Sequence, residues 1–425
     1  MSAVKHSALF ASISAALGAV AILLIFYPPL FDQPAPQDVS GQSVGPQLNT
    51  QIAGVRFDKA TNLTNNTQDS VYGQVVAAAN NAYVVWQDSV SSPESTDGLY
   101  LGRNYDIFIM TSIDGGDSFG PAINLSMNSG FSEHPQSAAY GESVYVVWAD
   151  DTSGNREVLF VAAKNNGSDF GTTLNLSKSN LDSYNQEIAV FEGDVYAVWL
   201  EEGEKNSRVM FRASHDRGKT FDESLVISEK ANVGTLPKIS ADGHGIHVAW
   251  SLLHDERENG LFYSASLDGG KSFSEPKKLS EQNNFGEPQI ISSNETVYVI
   301  SGGMDSLKVN GLLIAKSLDG GVTFSSETTN VNGSFVNPLN VEAAVDGSML
   351  FVAGQVLVGS NEEILLLPLE TPPDSAKPLG LVNLSDNPKI SECPSIAIAG
   401  DRIFVVWEDL SPGNHEILYS KGLKI

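Results

Sequence analysis

Acidic side chains recur just after a repeated aromatic phrase, and they are the residues of this chain best suited to chemistry. Carboxylates that converge from several loops could hold Ca²⁺ through oxygen ligands. Two carboxylates at a suitable separation could instead hydrolyse a glycoside. Solvated loop tips, with no function beyond solubility, are the alternative explanation. The acids that follow the phrase are Asp88, Asp150, Asp151, Glu201, Glu202, Glu408 and Asp409.

A second set of polar residues stands before the neighbouring phrases, in the loops that would face the same way. No contiguous calcium loop of the D-x-[DN]-x-D-G kind occurs in the sequence, so any metal would have to be held by separate loops. Ca²⁺ therefore remains a hypothesis, and the metal itself is unassigned. These additional residues are Glu133, His134, Asp182, Glu187, Glu287 and Glu392.

The phrase itself defines a repeat. It ends in tryptophan at Trp86, Trp148, Trp199, Trp250 and Trp407, with spacings of 62, 51, 51 and 157 residues. Two copies that end at Ser301 and Gly354 divide the last gap into steps of 51, 53 and 53. Each copy contains four short β-strand patterns, A to D, and strand B is apolar at consecutive positions because both of its faces are covered. Seven copies of about 51 residues predict a seven-bladed β-propeller. The repeated tryptophans then pack between blades, rather than forming a platform for sugars.

An octapeptide recurs in phase with this repeat, between strands C and D. Its serine and aspartate can hydrogen-bond the backbone of a tight turn, and its glycine can take a positive φ. We therefore expect a structural role, with the final phenylalanine packed beneath the turn. The four copies supply Ser112, Asp114, Gly116, Phe119, Ser214, Asp216, Gly218, Phe221, Ser266, Asp268, Gly270, Phe273, Ser317, Asp319, Gly321 and Phe324.

These octapeptides resemble the S-x-D-x-G-x-[ST]-[WF] Asp box, or BNR repeat, of sialidases and related propellers. The resemblance covers residues 55–425 and implies that the boxes lie on the face opposite the ligand. It does not carry over a catalytic site. Sialidases use an F/Y-R-I-P motif, three arginines, a Tyr–Glu pair and an acid/base Asp on six blades. This chain has no F/Y-R-I-P and only eight arginines, and it repeats seven times.

The two ends of the chain predict how the ring closes. The C-terminal copy stops on strand C, at HEILYSKGLKI. Residues 55–64, before the first strand A, resemble a strand D. We expect this segment to supply the outer strand of the last blade.

The N-terminus carries an apolar run that predicts a membrane anchor. Residues 8–27 form 20 uncharged residues, long enough to span a bilayer as a helix. The segment ends in Phe26-Tyr27-Pro28-Pro29 with no small-residue cleavage pattern after it, which favours an uncleaved anchor over a cleaved signal peptide. Lys5 precedes the run, so residues 1–7 should be cytoplasmic and the propeller outside, or secreted if the run is cleaved. Residues 28–54 would be a flexible linker.

Composition fits an exported, surface-exposed protein. The net charge of −26 argues against nucleic acid as a partner. Cys393 is the single cysteine, so no internal disulfide can form. Eight Asn-x-Ser/Thr sequons could accept glycans in such a protein. They are Asn62, Asn65, Asn124, Asn166, Asn175, Asn294, Asn332 and Asn383.

Three functions remain open on these grounds. A membrane-anchored surface module that binds a glycan or a protein is the first, and no oligomer is implied. A sialidase-like or other exo-glycosidase using the loop-face carboxylates is the second. A purely structural envelope component is the third. Facing buried carboxylates with a raised pKa would favour the hydrolase.

Overall fold

The computed structural model describes residues 51–91, 103–203, 207–231, 235–252, 260–280, 285–303, 312–329, 339–370 and 377–425. The predicted anchor at residues 8–27, and most of the predicted linker, lie outside these ranges. Within the described ranges, no helix is long and apolar enough to cross a membrane.

The strands form seven antiparallel sheets. The first three strands are β1 (Gln51–Ile52), β2 (Val55–Phe57) and β3 (Thr61–Asn62). Blade 1 contains β4 (Ser70–Ala78), β5 (Asn81–Ser91), β6 (Arg103–Ser112) and β7 (Ile123–Asn124). Blade 2 contains β8 (Ser132–Tyr140), β9 (Ser143–Asp150), β10 (Glu157–Lys164), β11 (Asp169–Phe170) and β12 (Leu174–Asn175). Blade 3 contains β13 (Ser183–Phe191), β14 (Asp194–Glu201), β15 (Ser207–Ser214) and β16 (Leu225–Ala231).

The remaining blades repeat this order. Blade 4 contains β17 (Leu236–Asp242), β18 (Gly245–Leu252), β19 (Gly260–Ser266) and β20 (Lys277–Ser280). Blade 5 contains β21 (Phe285–Ser293), β22 (Thr296–Gly303), β23 (Leu312–Ser317) and β24 (Ser325–Thr329). Blade 6 contains β25 (Leu339–Asp346), β26 (Met349–Val358), β27 (Asn361–Glu370), β28 (Lys377–Pro378) and β29 (Val382–Asn383). Blade 7 contains β30 (Ser391–Ala399), β31 (Arg402–Asp409) and β32 (Glu416–Lys424).

The blades close into a ring. The first strand of each blade contacts the first strand of the next, and β30 of blade 7 contacts β4 of blade 1. The predicted seven-bladed propeller of four-stranded blades is therefore confirmed; in blades 2, 6 and 7 the outer strand is split into short pieces.

The N-terminal segment completes blade 7. Thr61 pairs with Tyr419 and Asn62 with Leu418, so β3 is the outer neighbour of β32. β2 extends the same edge, where Phe57 pairs with Gly422. A Cβ on Gly422 would lie 2.7 Å from the Phe57 ring, so this glycine makes room for the closing segment. The predicted linker extends too far, because Gln51–Ile52 already pairs with β2.

The tryptophans fill the spaces between blades. All five are at most 1% exposed. Trp148 of blade 2 packs with Val85 of blade 1, and Trp407 of blade 7 packs with Ile364 of blade 6. Large apolar side chains buried in this way stabilise a fold by roughly 1.5–3 kcal/mol each. Both faces of each sheet are thus covered, which explains the unbroken apolar runs of strand B.

The octapeptide turns make the same hydrogen bonds at each copy. In the turn of blade 4, Ser266 Oγ donates to Asp268 Oδ1 at 2.8 Å and accepts from Gly270 N at 2.9 Å. Asp268 accepts in turn from Ser272, through the backbone N–H at 3.0 Å and the hydroxyl at 2.6 Å. These bonds lower the pKa of Asp268 to about 2, the Ser272 hydroxyl having the largest effect.

The phenylalanine of each turn, expected to pack beneath the turn, contacts the preceding blade. Phe273 meets Phe211 of blade 3 edge-on at 4.8 Å, and Phe324 meets Tyr263 of blade 4 likewise. Gly321 takes φ +89°, and a Cβ there would lie 1.8 Å from the Tyr263 hydroxyl. The turns therefore join neighbouring blades as well as closing their own hairpins.

Candidate ligand-binding mouth of the central channel

One face of the ring gathers the predicted site residues. Ser70, at the start of β4, pairs with Asp88 near the end of β5, so both lie at the same edge of the blade. Ser112, which begins an octapeptide turn, pairs with Ala82 at the other end of β5. The acids after strand B are therefore on the face opposite the octapeptide turns, as predicted.

Three of the predicted acids are buried and hold neighbouring loops in place through hydrogen bonds. Asp409 is fully buried. Its Oδ2 accepts from Asn387 Nδ2 at 2.8 Å, Ser391 Oγ at 2.9 Å and Trp407 Nε1 at 3.0 Å. Asp150 receives equivalent bonds from asparagine, serine and tryptophan. Asp88 receives bonds from Asn66 and Ser70, and burial raises its pKa to about 6. The lone pairs of these acids are therefore engaged in holding loops.

The other predicted acids also have partners. Glu201 pairs with Arg208 across the β14–β15 hairpin. Glu202 accepts from the Tyr184 hydroxyl at 2.9 Å, and Asp151 accepts from the Phe131 backbone N–H at 2.7 Å. A ligand role for this set stays a prediction.

Of a ring of equivalent positions on the first strands, the sequence pattern singled out only Glu187, which was expected in a loop but lies within β13. These positions are spaced by 62, 51, 51, 51, 53 and 53 residues, in phase with the tryptophan phrase. In six of the seven blades the pairing between the first and second strands shifts register just before this position. A β-bulge there sets the direction in which the side chain points. The period was the signal that could have found them. The seven residues are Gln74, Gln136, Glu187, Lys238, Gln289, Glu342 and Ser395.

Side chains of this ring meet across the channel. Lys238 of blade 4 pairs with Glu187 of blade 3, and its Nζ lies 3.8 Å from Glu342 Oε1 of blade 6. Glu287 of blade 5, two residues before the ring position Gln289, approaches the Lys238 Nζ to 2.7 Å. Gln289 Nε2 donates to Glu342 Oε1 at 2.9 Å. One lysine thus holds three carboxylates from three other blades, and we call these four charged residues the lysine cluster.

Burial controls the electrostatics of the lysine cluster. Lys238 is 8% exposed at its side chain, and Glu342 is 21% exposed. Burial lowers the pKa of Lys238, but Glu187, Glu287 and Glu342 together raise it well above its ordinary value. Burial raises the pKa of Glu342 to about 8, with Lys238 opposing the shift and Glu187 adding to it. Burial also raises the pKa of Glu187. Glu342 therefore keeps its proton near neutral pH.

A second polar group lies at the junction of blades 7 and 1. Glu392, Glu408 and His415 place one ligand atom each within 4.8 Å of one another. Glu408 Oε1 accepts from the Tyr72 backbone N–H at 2.6 Å. Burial, then repulsion by Glu392, raises the pKa of Glu408 to about 8. Cys393 donates its thiol hydrogen bond to Glu408, and burial raises the thiol pKa well above its usual range.

Two arginines of this face, Arg156 and Arg208, are paired with acids in the described part of the chain. Arg156 Nε lies 3.3 Å from Glu133 Oε1, and its guanidinium lies over the Tyr184 ring at 5.3 Å. Asp182 accepts from the Arg156 backbone N–H at 2.9 Å. His134 stacks edge-on against Tyr72 at 4.3 Å. Burial lowers the pKa of His134, so its imidazole is neutral at pH 7.

The sequons fall into two structural groups. Asn65 and Asn294 are exposed. Asn62, Asn124, Asn175 and Asn383 are half-buried, and each caps a turn by accepting backbone N–H bonds through Oδ1. Asn166 accepts from Asn81 Nδ2 at 2.7 Å. Asn332 lies outside the described residues.

Comparisons with known proteins bear on the fold. No protein-family model matches the chain, and no curated protein matches it by sequence. Among solved structures, it is similar to a protein of unknown function from Dyadobacter fermentans, with TM-score 0.55 and 16% identity over 88% of this chain and 100% of that one. It is also similar to an endosialidase of phage phi92, with TM-score 0.52 and 12% identity over 86% of this chain and 69% of that one.

The fold is a sialidase-like β-propeller. A Trypanosoma rangeli sialidase in complex with sialic acid is similar at TM-score 0.48 and 10% identity, over 85% of this chain and 57% of that one. Identities this low show the fold alone.

Proposed function

We propose that this protein is a membrane-anchored surface binding module, whose ligand docks at the mouth of the central channel. The lysine cluster is the observation that carries the proposal. Four blades each contribute a charged side chain to this buried cluster. Burying these charges costs desolvation free energy, which apolar side chains at the same positions would not cost. Convergent polar groups with shifted pKa values in a concave site are typical of ligand-binding sites.

Charge determines which ligands suit this mouth. Three glutamates surround a single ammonium in the lysine cluster, and Glu187 and Glu287 still outnumber the Lys238 ammonium where Glu342 keeps its proton. An anionic sugar would be repelled, whereas hydroxyl or ammonium groups could hydrogen-bond these carboxylates. The supported ligands are therefore neutral or amino-bearing glycans, or a basic segment of a surface protein.

A glycoside hydrolase is the second candidate, because one observation favours it. Glu342, with its pKa raised to about 8, retains a proton at neutral pH as a general acid must. Glu187 and Glu287, held on the same Lys238, could supply the second carboxylate. A sialidase mechanism has less support, since Arg156 and Arg208 are paired with Glu133 and Glu201.

A binding and turnover screen separates the two candidates. The full chain, purified in detergent, would be applied to arrays of neutral, amino-bearing and acidic glycans and of basic peptides, and assayed with chromogenic glycosides. The binding proposal expects retention on neutral or basic ligands without turnover. Selective retention of acidic glycans would contradict it. Turnover that is lost in Glu342→Gln, but not in the exposed control Glu142→Gln, would establish the hydrolase instead.

Anchoring has its own test in intact cells that express the full chain. The proposal expects external protease to degrade the propeller, and expects the chain to sediment with membranes until detergent is added. A chain released by a high-salt wash, or one protected from external protease, would contradict it.

A further inference from the structure

We propose that Glu392, Glu408 and His415 form a binding site for a divalent transition-metal ion, with Zn²⁺ preferred over Ca²⁺. The site lies in blade 7, on strands β30 and β31 and just before β32, beside blade 1. It goes beyond the proposed ligand-binding function and stands or fails separately from it.

The distances suit ligands that share an ion. His415 Nδ1 lies 3.8 Å from Glu392 Oε1 and 3.7 Å from Glu408 Oε2. Zinc bonds to nitrogen and oxygen of about 2.0–2.2 Å put two tetrahedral ligands about 3.4 Å apart. The three ligand atoms lie within 4.8 Å of one another, so the two glutamate side chains would have to close on the ion to share it with His415. The same separations are too long for hydrogen bonds.

The imidazole nitrogen that faces this space is left without a hydrogen bond. His415 Nδ1 is buried as an atom, and no hydrogen-bond partner for it occurs in the described part of the chain. Buried polar atoms are nearly always satisfied, and this one lies where a ligand atom is needed, so it is available to a cation. With its proton on Nε2, the imidazole would present the Nδ1 lone pair to a cation held by the two carboxylates.

The surrounding contacts fix the three side chains. Glu408 Oε1 is occupied by the Tyr72 backbone N–H, which leaves Oε2 for His415. The His415 carbonyl accepts from the Ser70 backbone N–H at 2.8 Å, so the loop that carries the imidazole is held to blade 1. Hydrogen bonds of this kind orient metal ligands in known sites.

The donor set selects the ion. Ca²⁺ takes six to eight oxygen ligands, and an imidazole nitrogen is a poor substitute for one. One imidazole and two carboxylates suit Zn²⁺, Co²⁺ or Mn²⁺ and would neutralise a divalent charge. Three protein ligands also leave a coordination position for water or for a ligand.

Metal titration of the full chain tests the site. The protein, purified in detergent and stripped with a chelator, would be titrated with Co²⁺ and then with Zn²⁺ or Ca²⁺. We expect one Co²⁺ per chain with visible d–d absorption, displaced by Zn²⁺ but not by equimolar Ca²⁺. His415→Gln, Glu408→Gln and the half-exposed Glu392→Gln should each weaken binding at least tenfold.

His244→Gln is the matched control, since His244 is exposed in the β17–β18 turn of the opposite face. It should leave the affinity unchanged. Absence of stoichiometric binding, equal affinity in His415→Gln, or tighter binding of Ca²⁺ would each overturn the proposal. If Glu408→Gln fails to fold, His415→Gln and Glu392→Gln decide the matter. No glycan or peptide enters this experiment, so its failure leaves the ligand proposal standing.

Discussion

Asn387 and Asp409 are 22 residues apart in the chain and joined by a hydrogen bond of 2.8 Å between Nδ2 and Oδ2. The same pair of residue types, at the same separation, joins Asn128 to Asp150 at 2.6 Å and Asn66 to Asp88 at 2.9 Å. The aspartate after strand B thus holds the loop that precedes strand A of its own blade.

Replacement of Asp409 by alanine tests this anchoring role. The change removes the acceptor of Asn387, Ser391 and Trp407 and leaves their buried donors unsatisfied. We expect the free energy of unfolding to fall by at least about 2 kcal/mol, measured by urea denaturation.

Asp401→Ala is the control for that change, because Asp401 is 66% exposed at its side chain in the turn before β31. Its effect should stay within about 0.5 kcal/mol. Equal effects of the two substitutions would contradict the anchoring role of Asp409.

The octapeptide turns should contribute to stability through their buried serine. Ser266→Ala removes both the donor to Asp268 and the acceptor of Gly270 N–H. We expect a loss of about 1–2 kcal/mol in the free energy of unfolding, whereas Lys271→Ala, at an exposed position of the same turn, should change it little. A Ser266→Ala protein as stable as the wild type would show that these bonds do not hold the turn.

Stability should fall as pH rises from about 5 to 8. Glu408 and Glu342 have folded-state pKa values raised to about 8, against an ordinary value near 4.3. Between these values the folded state binds protons that the unfolded state has released, so raising the pH favours unfolding. In protein stripped of metal, Glu408→Gln should reduce the loss between pH 5.5 and pH 8 by at least about 1 kcal/mol.

Urea midpoints at both pH values provide the measurement, and Glu142→Gln on the opposite face should keep the wild-type dependence.

The octapeptide aspartates act in the other direction at lower pH. Asp216, Asp268 and Asp319 have pKa values lowered to about 2, so their contribution is lost as pH falls from about 4 to 2. A wild-type protein that gains stability from pH 5.5 to 8 would refute the assignment of Glu408.

Removal of sequon asparagines should separate structural from glycan roles. Asn124 Nδ2 donates to Asp106 at 2.6 Å and its Oδ1 caps a turn, so Asn124→Gln should cost about 1 kcal/mol even in bacterially produced protein. Exposed Asn294 should tolerate the same change and, in a glycosylating host, lose the mass of one glycan. Equal thermal stability of both variants from bacteria would contradict this division.

The sequence predicts the fold almost completely, because the repeat is local and strongly periodic. The Trp407 phrase and the unfinished C-terminal copy are enough to place residues 55–64 against β32. What could not be foreseen is contact between copies. The partner of Phe273 on blade 3 depends on how far neighbouring blades twist, which no single repeat encodes.

The site was predicted less well for a related reason. Acids after strand B were chosen because they follow a visible phrase, yet Asp150 and Asp409 are anchors. The sequence pattern did not single out Lys238, because it lies within a strand pattern and its partners, Glu187 and Glu342, come from other blades. The role of a charged residue on an inner strand depends on side chains from other blades, and these are known only once the ring is assembled.

Ligand affinity in Glu287→Gln tests the central claim most directly. Glu287 is 34% exposed at its side chain and contacts Lys238, so its neutral amide should disturb the mouth without disturbing the ring. Calorimetry of the full chain with the ligand retained most strongly in the screen should show at least tenfold weaker binding than wild type. Glu295→Gln, exposed on the opposite face, should bind like wild type. Equal affinity of Glu287→Gln and wild type would contradict binding at the channel mouth.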